Sequence, residues 1–281
     1  MRILHVTDFH FNKRWFDWLA TKAPECDLVC HTGDFLDLFS KVPVPTQIRR
    51  VAKWLARVRS PLLFCSGNHD VEAEAGQAGA WLRSQLSPFA WGDGTTMSRG
   101  GVTLVSSGWS TPCHLEGSVD VLLRHAPPGG CATAVSRVDG QDWGDFNLGE
   151  DLRIGLLPVG IVLSGHQHSP WKWHGRCGAA ISFNPGLNAG AGVPNYILLD
   201  LAGRRMARWH EGGQLAGALR LPDAPDWPEE PGPAALDAKG RTRLRRPRMS
   251  TTTKGMPLCG PQGAAAALAT QKLRPTWVIA G

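Results

Sequence analysis

The chain has 281 residues, of which 42% are hydrophobic, and a formal net charge of +6. That length and apolar content allow one large domain or two small ones with a sizeable core, and no stretch is long and apolar enough to span a membrane. Beyond residue 221, nine Lys and Arg stand against five Asp and Glu, so the tail carries +4 of the charge and the remainder points to no polyanionic partner.

The opening stretch "MRILHVTDFH" becomes strand-like at once, with a first strand over Ile3–Asp8 and neither the apolar core nor the cleavage site of a secretory leader. Seven scattered cysteines, an odd number without a C-x-x-C pair, argue against a disulfide framework, and a reducing cytoplasm is expected. Cys30 and Cys65 lie in apolar runs and read as small buried hydrophobes. "RWFDWLATKA" predicts an amphipathic helix, and "DLVCHTGD" (Asp27–Asp34) a second strand. Ile48, Val51, Leu55 and Val58 keep helical spacing, which predicts a helix over Thr46–Val58. The strand "PLLFCSGNHD" follows, and this β-α-β-α-β order places helices on the face of a sheet. From Phe89 the text is strand-rich: "VTLVSSGW", "VDVLLRH", "GIVLSGHQH", "AAISFNPG" and "NYILLDL". Pro127–Asp151 shows no period and reads as a long loop of the kind that carries function. Residues 222–281 are rich in Pro, Gly, Ala and Arg and poor in large aliphatics, so they are expected to be mostly disordered, with at most a brief helix in "GAAAALATQKL".

Five apolar runs end in metal-ligand chemistry. They deliver Asp8 and His10; Asp34; Asn68, His69 and Asp70; His125; and His166 and His168. In open α/β sheets, ligands bind outside the carboxyl ends of the strands. Alternation along an extended strand would let Asp8 and His10, or His166 and His168, face one ion together. Imidazole plus Asp or Asn oxygen, without thiolate, suits Mn, Fe, Zn or Ni better than Ca or Mg. Each motif alone has a bland reading as a hydrogen-bonded strand end; it is the five in one chain that favour a metal site. His5 and His31 lie inside strands and read as core histidines, while His114, His174 and His210 match no motif.

D-x-H, G-D, G-N-H-D, an isolated His and G-H-x-H, in that order from Asp8 to His168, resemble the calcineurin-like metallophosphoesterases. The resemblance implies an α/β fold, a four-layer αββα sandwich of two mixed sheets, over residues 1–221. It also implies two divalent transition-metal ions, with Mn favoured. Asp8, His10, Asp34 and His168 would hold the first ion; Asp34, Asn68, His125 and His166 the second, with Asp34 bridging. A bridging hydroxide would be the nucleophile. His69 would stand free of the ions, to contact the phosphate or to protonate the leaving oxygen as a general acid, and Asp70 would orient it.

Departures from the family's branches narrow the reading. Where purple acid phosphatases carry a Tyr ligand, this chain has Asp37, and where Ser/Thr protein phosphatases carry a phosphate-binding Arg, it has "GDFLDLF". "HAPP" around His125 looks like the small phosphodiesterase branch, so a phosphodiesterase acting on a small-molecule or nucleotide phosphoester is expected, with Pro127–Asp151 selecting the substrate. The alternatives are a phosphomonoesterase, a DNA nuclease of the same superfamily, or a non-catalytic scaffold. A nuclease would ordinarily add a capping domain, and a scaffold would have lost ligands. The tryptophans of "RWFDW" and "PWKWH" and Trp109 admit base stacking, but Trp more often packs in cores. "GRTRLRRPR" in the tail permits nucleic-acid binding through phosphates, but a solvated basic tail is favoured.

Overall fold

The computed structural model describes residues 1–72, 80–83, 86–111, 113, 115, 117–202 and 205–221. The expected tail over 222–281 and His114 lie outside these. Among the described residues, thirteen strands make two sheets. The first orders Gln214–Arg220 (β13), Met206–Glu211 (β12), Tyr196–Asp200 (β11), Arg2–Val6 (β1), Leu28–Thr32 (β2), Leu62–Cys65 (β3) and Ala90–Trp91 (β4). Here β1 to β4 pair in parallel and β11 to β13 antiparallel. The second orders Thr96–Arg99 (β5), Val102–Ser107 (β6), Val119–Arg124 (β7), Val159–Leu163 (β8), Ala180–Phe183 (β10) and His174–Cys177 (β9), with antiparallel strands at both edges.

Strand alternation sorts the apolar runs into layers. Ile3, Leu28, Cys30, Leu63 and Cys65 point between the sheets, where they meet Leu104, Val121, Leu123, Leu163 and Phe183. Their neighbours Leu4, Val29 and Phe64 point outward, onto helices α1 (Lys13–Lys22) and α2 (Val44–Leu55). On the far face, Leu122, Val159 and Val162 pack with Leu148 and Leu152 of helix α4 (Phe146–Arg153), which comes after the short helix α3 (Asn68–Glu72) in the chain. Both faces of each central strand are therefore covered, which is why these runs read as continuously apolar. The described unit is the expected four-layer sandwich of two mixed sheets.

Local signals explain the helices. Asn12 caps α1 by accepting the Arg14 N–H, and Trp15, Phe16 and Leu19 form its buried stripe. Helix α2 starts before the expected Thr46, because Pro45 is tolerated in a first turn, and it ends at Leu55 rather than Val58. Its buried residues are Gln47, Val51 and Leu55. The segment read as one long loop instead ends in α4, capped by the Asp145 side chain on the Leu148 N–H. With only Leu148 and Leu152 to mark its buried side, α4 gave too short a pattern to be seen. The preceding residues are packed rather than loose: Cys131, Thr133 and Ala134 are fully buried. No helix among the described residues is long and apolar enough to cross a membrane.

Candidate metal centre

The expected ligand residues do converge, but not by strand alternation. Strand β1 ends at Val6, and Asp8, His10 and Phe11 follow with φ of 53°, 41° and 57°. Asp34 (57°) and His166 (63°) also sit in left-handed backbone. Such non-glycine conformations are strained and cluster at functional sites. Here they are held by loop-to-loop hydrogen bonds: Asp8 N–H to Gly33 O (3.1 Å), His10 N–H to Asp34 O (3.0 Å) and Phe11 N–H to Phe35 O (2.9 Å). The loops after β1 and β2 thus interlock, and both carboxylates turn into the same crevice.

Asp34 lies at the centre. Its Oδ1 accepts the His69 N–H at 3.0 Å. Its Oδ2 lies 3.3 Å from His125 Nε2 and 3.9 Å from both His10 Nε2 and His69 Nε2. On one side, His10 and His168 face each other Nε2 to Nε2 at 3.0 Å, with Asp8 Oδ1 at 3.8 and 3.5 Å from those atoms. On the other, Asn68 Oδ1 lies 3.1 Å from both His125 Nε2 and His166 Nδ1. His125 Nδ1 donates to Thr32 O at 2.5 Å, which leaves Nε2 to face the crevice.

Two glycines permit this closeness. Gly33, at φ +91°, would place a Cβ 2.7 Å from His125 Nδ1, and a Cβ on Gly67 would collide with the Asp34 carboxylate. A residue the motifs did not flag completes the frame. Asn184, fully buried at the end of β10, donates to Gly165 O and Gln167 O on either side of His166, and to Thr133 O. "FNPG" was visible as the end of an apolar run, but Asn184 reaches backbone rather than the crevice.

Electrostatics follow from burial and pairing. Burial opposes ionisation of Asp8 and Asp34, yet both are held below the ordinary carboxylate value, Asp8 mainly by His168 and Asp34 by His125 and His69. His125 is raised to about 9: burial works against its charge, but Asp34 outweighs it. Burial and then the His125 charge lower His166 to about 3. Buried carboxylates faced by imidazoles form a site suited to a cation. Among the described residues, three overlapping groups have donor atoms mutually within 4.8 Å: Asp8, His10 and His168; His10, Asp34 and His69; and Asp8, Asp34 and His125. The donors are all nitrogen and oxygen, which fits divalent transition ions.

His69 and Asp70 depart from expectation. The Asp70 carboxylate accepts from Gly67 N–H (3.0 Å) and Leu36 N–H (3.1 Å), so it ties loops together and does not orient His69. Burial, and then the charge of Asp34, raise it to about 8. His69 Nδ1 instead accepts the Leu38 N–H at 3.2 Å. A backbone N–H can only donate, so the ring carries its proton on Nε2, toward Asp34 and the crevice.

The outer histidines behave as core groups. His5 Nε2 bonds Thr32 Oγ1, and His31 stacks on Phe35 at 3.9 Å between centroids. Trp15 is buried in the core, while Trp109 packs against His125 and His166 at 5.7 and 5.2 Å. The loop before α4 reaches the site's edge, where Arg137 N–H bonds Ser169 O, next to His168.

Comparison with known proteins agrees with this architecture. One solved structure aligns over 75% of this chain and 98% of its own, at 14% identity and a TM-score of 0.57. The protein TT1561 of Thermus thermophilus aligns over 75% and 98%, at 15% identity and a TM-score of 0.50. The purple acid phosphatase PPD1 from yellow lupin seeds aligns over 78% of this chain and 53% of its own, at 13% identity and a TM-score of 0.51. At these identities they are evidence of shared fold. No curated protein matches the chain. A profile for calcineurin-like phosphoesterases matches residues 1–170, the stretch that supplies every one of the converging side chains. The chain therefore belongs to the calcineurin-like phosphoesterase family of metal-dependent hydrolases.

Proposed function

We propose that the protein hydrolyses phosphodiesters at a two-ion centre, with Asp8, His10, Asp34 and His168 holding one ion and Asp34, Asn68, His125 and His166 the other. The observation that carries this is Asp34, whose Oδ2 faces imidazoles of both groups, His10 on one side and His125 on the other. Mn is the favoured metal, and nitrogen and oxygen donors are equally compatible with Fe, Zn or Ni. Bound there, such ions supply Lewis acidity, which neutralises phosphoryl charge and acidifies water at neutral pH.

The protein's own groups do the rest. Asp8 and Asp34, held ionised, set the negative charge of the crevice, which the His125 imidazole partly offsets in the metal-free protein. His69 presents its Nε2–H as a fixed donor to a phosphoryl oxygen. As a neutral imidazole it is a poor general acid, because giving up that proton would leave an imidazolate; the backbone contact from Leu38 favours the donor role over the acid role. A diester rather than a monoester is supported by the "HAPP" stretch that begins at His125, which resembles the small phosphodiesterase branch.

The test is turnover by Mn-loaded protein against phosphomonoesters, diesters, cyclic nucleotides and DNA, with metal content measured alongside. Diesters should be fastest, and preference for a monoester would overturn the reading. His69→Ala should keep both ions and slow an alkyl and a p-nitrophenyl diester by similar factors, about 10²-fold. A loss confined to the poor alkyl leaving group would make His69 the general acid after all.

A further inference from the structure

Phe39 is a large apolar side chain left 57% exposed on the loop that follows Asp34. Its ring lies 5.5 Å from that of His69, at an interplanar angle of 73°. The loop beneath it is fixed. Fully buried Gln47 accepts the Asp37 N–H at 2.9 Å and donates to Asp37 O and Val42 O, both at 2.8 Å. The Asp37 side chain accepts the Phe39 N–H at 2.9 Å, and Leu38 N–H is engaged with His69. Exposed apolar side chains are ordinary on a surface. This one is held in place by a polar clamp that leaves it without an apolar blanket, beside the one imidazole of the site proposed to touch the phosphoryl group.

We propose that Phe39 is a specificity residue: together with the His69 ring it forms a shelf for a flat aromatic ring carried on one substituent of the phosphoester. The inference rests on the phosphodiesterase reading above and adds the substrate class. A ring on this shelf would meet Phe39 in the offset or edge geometry that aromatic pairs prefer, and would cover area that Phe39 now exposes to water. A nucleobase and a simple aryl group share this chemistry.

Two measurements test it. The first compares diethyl phosphate, benzyl ethyl phosphate and thymidine 5′-ethyl phosphate, read by ethanol release, which share a leaving group and differ in the retained substituent. Phe39→Ala should lower kcat/KM for at least one ring-bearing diester about tenfold, or ~1.4 kcal/mol, and leave diethyl phosphate within about twofold. Phe39→Tyr should restore the ring preference, and Phe39→Leu should not. Loss on the thymidine compound identifies a nucleotide-type substrate; loss on the benzyl compound alone identifies a ring close to the ester oxygen. The second measurement is calorimetric binding of benzylphosphonate and ethylphosphonate to the Mn-loaded protein. The wild type should prefer benzylphosphonate, and Phe39→Ala should abolish the difference. If no diester is turned over yet this preference appears and depends on Phe39, the diester reading fails and the shelf stands. If diesters are hydrolysed and no ring preference depends on Phe39, the shelf is wrong and the reaction stands.

Discussion

The two halves of the donor cluster are built differently. The half around His125 is closed: its ring is fully buried, Thr32 O holds Nδ1, and Asn68 Oδ1 meets both His125 and His166. The half around His168 is open: that side chain is 44% exposed, and its Nε2 meets the His10 Nε2 directly. Buried polar groups must be paired within the protein, whereas exposed ones can turn to water. The closed half is therefore set by the fold, while the open half would gain more order from a bound cation. Asp34 belongs to both.

The largest effect should come from removing what the halves share. Asp34→Asn should lower turnover by about 10³-fold or more, beyond any single His→Ala among the ligands. Kinetics across the ligand set, with metal analysis, measures this; near-normal turnover with both ions bound would end the bridging role. Next, His125→Ala should destabilise the metal-free protein by about 3 kcal/mol, because Asp34 would be left buried without its principal partner. His168→Ala should cost metal-free stability less, about 1 kcal/mol, because the ring is half exposed and water can reach Asp8 in its place, and both variants should bind metal more weakly. Equal unfolding midpoints for the two would erase the distinction between halves. A third and smaller loss, about 2 kcal/mol, is expected for Gly67→Ala, where the added Cβ displaces the Asp34 carboxylate. Its signature is weakened binding of both ions in a titration, not of one.

The dependence on pH sharpens the buried side. His5 bonds Thr32 Oγ1 behind the closed half, and burial lowers both His5 and His31 from 6.5 to about 3. The unfolded chain takes up these protons first as pH falls. Their contribution is therefore present above about pH 6.5 and is lost progressively from there toward pH 3, at up to ~1.4 kcal/mol per pH unit for each ring. Urea midpoints of the metal-free protein between pH 7 and 5 should show the decline, and a flat profile would mean that these rings are reached by water.

Much of the centre could be read from residue types, because each apolar run stops at an Asp, Asn or His, and covered strands are continuously apolar. Strand alternation nevertheless does not produce the convergence. Asp8 and His10 do not share a strand face; they lie past the end of β1 in left-handed backbone that the neighbouring loop stabilises. Nothing in "TDFH" announces that conformation, since it is non-local hydrogen bonding that offsets the strain. Asn184 and Gln47 were missed for a similar reason: their partners are backbone carbonyls and N–H groups, which carry no sequence signal.

The sequence by itself determined the layered α/β architecture and the identity of the converging side chains, because period and ligand chemistry are local properties of the residues. Only the tertiary structure decided which atoms face one another. It put Asp34 Oδ2 between the two halves, gave Asp70 to the Leu36 and Gly67 backbone, and set the His69 proton on Nε2 through Leu38. Those assignments depend on loops brought together from distant parts of the chain. A hydrogen bond's direction is fixed by the group that arrives opposite, and that group is known only once the chain has folded.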